Sequence, residues 1–571
     1  MKRLLIANRG EIAIRIARAA RDYGVETIGL YSDVDADALH VRKCDEAYGL
    51  GPGQPSDTYL NIEKIIEIAK KANADAVHPG YGFLSERAEF AYAVLEAGMK
   101  WVGPSPEVIT ALGDKVEARR VAAKVGAPLV KGSDGPLASA KEAVDFAREV
   151  GLPIAIKAAF GGGGRGMKVA YDLDDVAALF DSAVREATQA FGRGECYIEQ
   201  FLEKPRHIEA QIVGDTHGNI VVLGTRDCSL QRRNQKLVEE APAPFITDDQ
   251  RARIHEAARA ICAEANYVGA GTVEFLLSKN DVISFLEVNT RLQVEHPVTE
   301  ETTGVDIVVE QLRIADGLPL SVQETPKPRC HAFEFRINAE DSGRGFLPTP
   351  GLITKFAPPS GIGVRLDTGV ESGSSVPGLY DSMMAKLIVT GATRKEALVR
   401  ARRALKEFEI EGVASVLPFH RAVLEDPAFA SDDEFHVFTN WIETEFRGLE
   451  AAPRVLSISE PSFVRLFVDI DGKRHSLGLP AALFEALATP SSDTAAMVHI
   501  PDESFVIAPI HGTLQHWLVE DGALVSEGEA VAVIEAMKME TQIRSTRSGS
   551  LAIKVSAGSA VAMGAVLAEI V

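Results

Sequence analysis

The first residues of the chain form short apolar runs around one amphipathic stretch. This pattern predicts a strand over Arg3–Ala7, a helix over Glu11–Tyr23 and a second strand over Glu26–Tyr31. Strand, helix and strand in this order are typical of a βαβ unit. The turn after the first strand lacks the glycine triplet of a dinucleotide site, so we expect residues 1–114 to form a mostly structural domain beside an active site.

A second pair of apolar runs flanks a glycine cluster. Strands are predicted over Ile154–Phe160 and Met167–Tyr171, and between them lie Gly161, Gly162, Gly163, Gly164 and Gly166. A dinucleotide fingerprint needs a helix after its glycines, and a Walker loop ends in Gly-Lys-Ser/Thr; the sequence has neither here. The pattern favours a mobile flap whose backbone amides fold over phosphates, with a merely flexible hairpin as the alternative.

Carboxylates interrupt two apolar strands farther along the chain. Glu274 lies within Gly271–Phe275, and Glu287 and Asn289 lie two positions apart, so they share one face of a strand. A buried carboxylate needs compensation, and magnesium takes oxygen ligands from carboxylates, amides and phosphates. Arg291, Gln293 and Glu295 continue the same parity and would extend this polar edge if the extended geometry persists.

The C-terminal residues contain an internal repeat. Asp521-Gly522-x-x-Val525-x-x-Gly528 recurs as Ala557-Gly558-x-x-Val561-x-x-Gly564, at an offset of 36 residues. Short apolar alternations separated by glycine predict about four strands per half, in a flattened antiparallel barrel with quasi-twofold symmetry. Lys538 falls between the halves, so we expect it on an exposed turn, where Met537 and Met539 would form a recognition surface for a modifying enzyme.

Length and composition narrow the class of protein. The 571 residues, 46% of them hydrophobic, suit three to five domains with real cores. A net charge of -21 argues against nucleic acid as a partner, and the five cysteines lie singly, which is typical of a reducing compartment. The sequence contains no apolar run long enough for a membrane span and no signal peptide, so we expect a cytoplasmic protein.

Two sets of motifs resemble one family. Glu535-Ala-Met-Lys-Met-Glu540 resembles the biotinyl signature of biotin-dependent carboxylases, which implies biotin on Lys538; lipoate is the minor alternative, since lipoyl domains share the fold but typically lack the two methionines. Residues 1–445 resemble the ATP-grasp fold of biotin carboxylase. The resemblance rests on the glycine-rich flap, on Glu274 and Glu287, and on four further motifs: Ile6–Glu11, His78–Phe83, Arg226–Ser229 and Arg336–Asp341. The whole chain is similar to the alpha subunit of an acyl-CoA carboxylase.

The resemblance implies a mixed α/β and α+β catalytic block followed by a small all-β barrel. The implied domains are an N-terminal βαβ domain over 1–114, an ATP-grasp domain over 115–330 with a lid near 131–203, and a C-terminal biotin carboxylase domain over 331–446. A linker with a short strand pair over 447–503 and a biotinyl domain over 504–571 follow.

The resemblance also implies site residues, which fall into four groups. ATP would contact Lys115, Lys157, the glycines of the flap, Glu199, Leu202, His207, Gln231 and Lys236. Magnesium or manganese would bind Glu274, Glu287 and Asn289, and bicarbonate would bind Lys236, Arg291, Gln293 and the backbone of Val294. Glu295 would be the base, and Arg336 would offset negative charge on biotin.

Three residues depart from the commonest family pattern: Phe160, Gln200 and Asn234 stand where many members carry glycine, lysine and histidine. Gln200 and Asn234 are expected near ATP and bear on nucleotide affinity. Because only the linker and the carrier follow the catalytic block, the resemblance implies a separate carboxyltransferase (beta) subunit, a biotin protein ligase and a homodimer within a larger hetero-oligomer.

Acetyl-CoA or propionyl-CoA is the favoured acceptor, and 3-methylcrotonyl-CoA, pyruvate and urea remain open. A non-catalytic biotin carrier with an ATP-grasp scaffold is the alternative of another class.

Overall fold

The computed structural model describes residues 1–133, 135–158, 167–191, 193–447, 463–470, 473–480, 504–509, 512–536, 539–561 and 564–570. The chain divides into two compact units, Met1–Leu449 and Glu450–Val571, which are described separately. Phe160, the glycines of the predicted flap and Lys538 lie outside the described residues.

The first part of the larger unit contains a five-stranded parallel sheet in the order β3-β2-β1-β4-β5. Its strands are β1 Arg3–Ile6, β2 Glu26–Ser32, β3 Glu46–Gly51, β4 Ala76–His78 and β5 Lys100–Trp101. Its helices are α1 Gly10–Tyr23, α2 Leu39–Lys43, α3 Ile62–Lys71, α4 Ala88–Glu96 and α5 Pro106–Gly113. The predicted βαβ start is confirmed, and the apolar face of α1 joins a core that includes Val213 and Ile307 of the next part of the chain.

The next part contains a small antiparallel sheet in the order β7-β6-β8, against which helix α8 packs. Its elements are α6 Lys115–Lys124, α7 Ala140–Val150, β6 Ile154–Ala158, β7 Met167–Ala170, α8 Val176–Phe191 and β8 Cys196–Gln200. Strands β6 and β7 pair from Ile154 opposite Ala170 to Lys157 opposite Met167, so the predicted strand pair around the glycines is confirmed.

An eight-stranded antiparallel sheet forms the middle of the unit, in the order β13-β12-β9-β10-β11-β14-β21-β19. Up to Ala315 the elements are β9 Arg206–Gly214, β10 Ile220–Arg232, β11 Gln235–Ala241, α9 Asp248–Glu264, β12 Gly269–Leu277, β13 Ile283–Asn289, α10 His296–Thr303 and α11 Ile307–Ala315. Strand β13 ends at Asn289, and residues 290–295 form a turn before α10. The extended geometry beyond Asn289 that would have aligned the next polar residues is therefore absent.

The same sheet continues into the last part of the unit, because β11 pairs with β14. The strands here are β14 His331–Asn338, β15 Glu340–Asp341, β16 Leu347–Pro348, β17 Gly351–Leu352, β18 Lys355–Ala357, β19 Val364–Thr368, β20 Ser375–Val376, β21 Met383–Gly391 and β22 Glu409–Glu411. The helices are α12 Arg394–Glu407, α13 Leu417–Val423, α14 Pro427–Ala430 and α15 Trp441–Thr444.

Among the described residues of the smaller unit, the first element is a hairpin of β23 Phe463–Ile470 and β24 Lys473–Pro480, close to the predicted strand pair. Eight short strands follow: β25 Phe505–Ile507, β26 Gly512–Trp517, β27 Leu524–Val525, β28 Ala530–Ala536, β29 Met539–Arg544, β30 Gly549–Ile553, β31 Ala560–Val561 and β32 Val566–Ile570.

The eight strands form two four-stranded sheets, β25-β32-β30-β27 and β29-β28-β26-β31. The strands β25 to β28 belong to the first half of the repeat and correspond, in the same sequence, to β29 to β32 of the second half. If each strand is replaced by its counterpart, the order of one sheet becomes the order of the other. The predicted barrel with quasi-twofold symmetry is thus confirmed. Lys538 lies in the chain between β28 and β29, which pair antiparallel up to Ala536 opposite Met539.

Candidate active site

Lys236 on β11 is the centre of a buried cluster of carboxylates. Its Nζ lies 2.7 Å from Oε1 of Glu295 and 3.1 Å from Oε1 of Glu274, and it also bonds to Glu209. Burial lowers the pKa of Lys236, but the three carboxylates outweigh it and hold this pKa well above its ordinary value. The ammonium is therefore charged, and it joins residues from β9, β12 and the turn before α10.

Glu209 also pairs with Arg226, whose side chain is fully buried. The Arg226 Nε donates to Glu209 Oε2 at 3.0 Å, and its other nitrogens donate to Gln211, Thr272 and Thr299. Sequence reasoning did not assign a role to Glu209. The signal was present, because His207, Glu209 and Gln211 place polar side chains at every second position, alternating with the apolar residues Ile208, Ala210 and Ile212.

The predicted nucleotide residues His207 and Gln231 lie at the edge of the same cluster. His207 Nε2 lies 2.8 Å from Glu274 Oε2, and the Gln231 amide meets His207 Nδ1 at 3.2 Å. Burial lowers the pKa of His207, but Glu274 more than compensates, so the net shift is upward. For Glu274, burial raises the pKa and the cations Lys236 and His207 together hold it well below its ordinary value.

The three predicted metal ligands share one face of the sheet. Glu274 on β12 lies directly opposite Glu287 on β13, and Asn289 Nδ2 donates to Glu274 Oε1 at 2.7 Å. Lys115 Nζ lies 3.3 Å from Glu287 Oε2. Two carboxylates and one amide oxygen on a common face are the hard donors that Mg²⁺ takes together with nucleotide phosphates, so these residues fit the ion.

A second group with metal-ligand spacing exists among the described residues. His207, Glu209 and Glu274 bring their ligand atoms within 4.8 Å of one another. The ammonium of Lys236 bonds to both carboxylates of this group, so the positive charge that they require is already supplied by the chain.

The predicted bicarbonate residues meet through the turn after β13. Arg291 Nη1 donates to Gln293 Oε1 at 3.0 Å, its Nη2 donates to Asn289 Oδ1 at 3.2 Å, and its Nε donates to Glu86 Oε2 at 2.8 Å. The Gln293 amide contacts Glu274 at 3.3 Å. Alternation along an extended strand had predicted that Arg291 and Gln293 lie on the same edge as Asn289. The side chains do meet, but they do so through a turn and not through an extended backbone.

Glu295 and Arg336 form the other side of the cluster. Arg336 Nη2 lies 2.9 Å from Glu295 Oε2, and Arg336 also bonds to Glu239, a residue that sequence reasoning missed. Burial raises the pKa of Glu295, yet Lys236, Arg336 and Arg226 hold it below its ordinary value. Burial raises the pKa of Glu239 to about 7, against the opposing effect of Arg336. Glu295 is therefore ionised at neutral pH and in contact with two cations.

The remaining nucleotide residues lie in the small sheet. Lys157 on β6 pairs with Glu199 on β8, and Arg119 Nη1 lies 3.1 Å from the other oxygen of Glu199. Leu202, which follows β8, is buried. Asn234 is exposed and lies beside Arg233 in the two-residue turn between β10 and β11, where both have positive φ. Asparagine is favoured in such a turn, which gives a backbone reason for its presence.

Comparison with known proteins accounts for this arrangement. The chain is 54% identical, over its whole length and 98% of the relative, to the biotin-dependent acyl-coenzyme A carboxylase alpha3 subunit of Mycobacterium leprae. The chain belongs to the biotin carboxylase family. Family models match residues 1–109 (biotin carboxylase, N-terminal domain), 114–323 (carbamoyl-phosphate synthase L chain, ATP binding domain), 334–444 (biotin carboxylase C-terminal domain) and 504–570 (biotin-requiring enzyme).

Two solved structures support the same assignment. The biotin carboxylase of Campylobacter jejuni in a β,γ-ATP complex has a TM-score of 0.73 and 44% identity, covering 77% of this chain and 98% of its own. The biotin carboxylase domain of Hydrogenobacter thermophilus 2-oxoglutarate carboxylase, a dimer with MgADP and bicarbonate, has a TM-score of 0.72 and 42% identity, covering 77% and 97%.

The chain is therefore an ATP-grasp enzyme that carboxylates biotin at the expense of ATP. Its cofactors and co-substrates are biotin, ATP, magnesium and bicarbonate. Among the residues that the structure describes, no helix is both long and apolar enough to cross a membrane.

Proposed function

We propose that the chain carboxylates biotin carried on its own Lys538, for transfer to an acyl-CoA by a separate carboxyltransferase subunit. The observation that carries this proposal is the contact chain Lys236–Glu295–Arg336, in which one ionised carboxylate lies 2.7 Å and 2.9 Å from two cations. A non-catalytic scaffold would have no use for so many buried charges, since unpaired or imperfectly paired ions are costly in a protein interior.

Glu295 is the proposed base. Bicarbonate would bind against Lys236, Arg291, Gln293 and the Val294 backbone, where the cations favour its negative charge. Because the depressed pKa keeps Glu295 ionised, the carboxylate can accept the bicarbonate O–H proton at neutral pH. The resulting oxygen attacks the γ-phosphorus of ATP as the bond to ADP breaks, and carboxyphosphate forms.

Three sets of residues are proposed to bind the phosphates of ATP or to compensate their negative charge. Lys115 and Lys157 would contact phosphates, Glu274, Glu287 and Asn289 would hold magnesium, and the glycines Gly161–Gly164 and Gly166 would cover the nucleotide. Glu199, Leu202, His207 and Gln231 would line the nucleotide cleft. When bound, magnesium would neutralise part of the negative charge of the phosphates. The ion pairs Lys115–Glu287 and Lys157–Glu199 pair cations with acids where these ligands would bind, so ATP binding requires both pairs to rearrange.

Arg336 is the residue assigned to the second step. Carboxyphosphate breaks into CO₂ and phosphate. Carboxybiotin forms when the ureido nitrogen of biotin bonds to the carbon of this CO₂, after the phosphate has accepted the proton from that nitrogen. We assign to the Arg336 guanidinium the offset of the negative charge that then develops on oxygen, a contribution of about 2.7–4 kcal/mol by comparison with oxyanion donors in other enzymes. Glu239 and Glu295 hold the guanidinium from two sides.

The acceptor and the partners are inferred from the relative. The Mycobacterium leprae protein is named as an acyl-coenzyme A carboxylase subunit, which favours an acyl-CoA such as acetyl-CoA or propionyl-CoA over 3-methylcrotonyl-CoA, pyruvate or urea. We further propose the domain division given above, modification of Lys538 by a biotin protein ligase, a homodimer of the catalytic block, and a cytoplasmic location. The β23–β24 hairpin is a candidate contact for the carboxyltransferase subunit.

The test is fixation of labelled bicarbonate by the tagged chain, purified with the partners that it retains, across a panel of acyl-CoAs, pyruvate and urea. Label in one acyl-CoA supports the proposal and names the acceptor. Label only in pyruvate or urea would refute the acyl-CoA assignment. Glu295→Gln and Lys538→Arg are the controls: free biotin should remain a substrate for Lys538→Arg, while Glu295→Gln should fix no label. Full ATP-dependent labelling by Glu295→Gln would remove Glu295 as the base.

A further inference from the structure

Lys386 is a fully buried cation beside the active site that none of the roles above uses. It lies on β21, and its cross-strand neighbours are Arg336 on β14 and Asp367 on β19. Two cations directly opposite each other destabilise a sheet. A buried lysine next to the catalytic arginine therefore requires a specific explanation.

The contacts of Lys386 identify what it holds. Its Nζ donates to the carbonyl oxygen of Val294 at 2.8 Å and lies 3.1 Å from Oε1 of Glu11 on α1. The Tyr81 hydroxyl donates to the same Glu11 oxygen, and the ring of Tyr81 lies 5.7 Å from Nζ. Burial lowers the pKa of Lys386, but nearby carboxyl groups, Glu11 foremost, outweigh it and raise this pKa overall. Lys386 therefore donates to Val294 as a charged ammonium.

The Val294 carbonyl belongs to the peptide that joins Val294 to Glu295. The backbone of Val294 is part of the proposed bicarbonate site, and Glu295 is the proposed base. The preceding carbonyl, of Gln293, accepts a hydrogen bond from the ring of buried His296 at 2.7 Å. Side chains thus fix two consecutive peptides of a turn that is neither strand nor helix. These contacts restrain the backbone of the turn, and they add to the bonds that Lys236 and Arg336 make to the Glu295 carboxylate itself.

Stability alone does not explain this lysine. Replacing a buried ion pair with apolar residues of similar volume is often neutral or stabilising, so a methionine-like residue would fill the position at lower cost. The lysine provides what an apolar residue cannot, namely a charged donor for the Val294 carbonyl. Such a hydrogen bond is stronger than one between neutral groups and fixes the acceptor more firmly.

We propose that Lys386 is a positioning residue, which holds the Val294–Glu295 peptide so that the base and the bicarbonate-binding backbone keep their mutual orientation. Glu11 and Tyr81 hold the ammonium in place from the N-terminal part of the unit. The inference rests on the proposed function, because that function assigns the roles of Val294 and Glu295.

The test compares Lys386→Met with Arg394→Met in the full-length biotinylated chain. The control replaces a half-buried cation by methionine: Arg394 pairs with Glu240 through both Nε and Nη2, and it contacts neither Val294 nor Glu295 in the described structure. Lys386→Met is expected to lower kcat/KM for bicarbonate by about tenfold or more, the effect of losing one hydrogen bond to a charged group, while KM for ATP changes by less than about twofold. Arg394→Met should keep the KM for bicarbonate.

Three results separate the interpretations. An unchanged kcat/KM for bicarbonate in Lys386→Met, or an equal loss in Arg394→Met, would overturn the positioning role. If Lys386→Met does not fold, Glu11→Gln replaces it: an increase of about threefold or more in KM for bicarbonate is expected when the ammonium loses its counter-charge, and no increase refutes the proposal. Glu295→Gln is measured in parallel; full activity there would remove Glu295 as the base, the role on which this inference rests, whereas no ATP-dependent carboxylation by the unmodified chain would overturn the proposed function itself.

Discussion

Glu334 provides a direct test of how this enzyme handles buried charge. It lies on β14 two residues before Arg336, opposite Glu239 on β11, and its side chain is fully buried. Neither carboxyl oxygen has a hydrogen-bond partner among the described residues. Burial raises the pKa of Glu334 well above its ordinary value; Lys386 opposes this shift and Glu239 adds to it. The folded protein therefore retains the Glu334 proton to a higher pH than the unfolded chain does.

The sign of the effect follows from proton linkage. The unfolded chain releases the Glu334 proton above about pH 4.5, whereas the folded chain retains it, so unfolding becomes easier as the pH rises between these two pKa values. Each pH unit in that window costs about 1.36 kcal/mol of stability. From pH 4.5 to pH 7.5 the cost reaches a ceiling of about 4 kcal/mol. Glutamine has the same shape, carries no titratable proton and avoids this cost.

Glu334→Gln should therefore stabilise the enzyme at pH 7.5 and leave it nearly unchanged at pH 5. For a unit of this size, a gain of up to about 4 kcal/mol corresponds to an increase in Tm of about 4–8 °C, extrapolating the size dependence of smaller domains. Tm is measured by differential scanning fluorimetry at both pH values. Glu256→Gln is the matched control, since Glu256 is exposed on α9 and should change Tm little at either pH.

A loss of stability at pH 7.5 in Glu334→Gln would refute this reasoning. Such a result would show that Glu334 is ionised in the folded state and serves as a counter-ion for Lys386. An equal gain at both pH values would also contradict it, because a packing effect, unlike proton linkage, is not expected to depend on pH in this way.

Four further predictions concern separate parts of the molecule. Arg336→Ala should slow biotin carboxylation by about two to three orders of magnitude in a steady-state assay, while ATP affinity measured by calorimetry stays close to that of the wild type. Glu287→Gln should raise the magnesium concentration needed for half-maximal ATP turnover, because one anionic ligand is lost. Lys538→Arg should abolish biotin incorporation, detected by mass spectrometry, while carboxylation of free biotin continues. Arg394→Met should lower stability in urea unfolding by up to about 3–5 kcal/mol, since it removes the arginine from the buried carboxylate of Glu240 and leaves that carboxylate its contact with His331.

Local patterns predicted the fold well where one strand or one turn carries the signal. The βαβ start, the strand pair around residues 161–166 and the two halves of the C-terminal barrel all follow from periodicity within about ten residues. The repeat was also sufficient to place Lys538 between β28 and β29, because an offset of 36 residues fixes which strands correspond. These features depend on neighbours in sequence, and periodicity reports such neighbours directly.

The candidate site was predictable only in part, because its contacts join distant segments. Glu209 and Glu239 were missed, and Arg226 was named only as part of a family motif without a role, since their importance arises from the order β12-β9-β10-β11-β14 within the central sheet. A sequence pattern gives the face of a strand but not its neighbours. The turn after Asn289 shows the opposite case: strand parity fails there, yet Arg291 still meets Asn289 and Gln293 through side-chain hydrogen bonds.

The site as a whole contains buried charges that serve the reaction and do not increase the stability of the fold. Three arginines or lysines and four glutamates share one buried region between β9, β11, β12 and β14: Arg226, Lys236, Arg336, Glu209, Glu239, Glu274 and Glu295. An apolar core of the same volume would be at least as stable. The charges are useful because bicarbonate, phosphate and the developing oxygen charge are all anions, and fixed cations stabilise them without reorganisation during the reaction. The surplus carboxylates keep those cations in place, and carboxylates with raised pKa values, Glu239 and Glu334, are the expected consequence of that surplus.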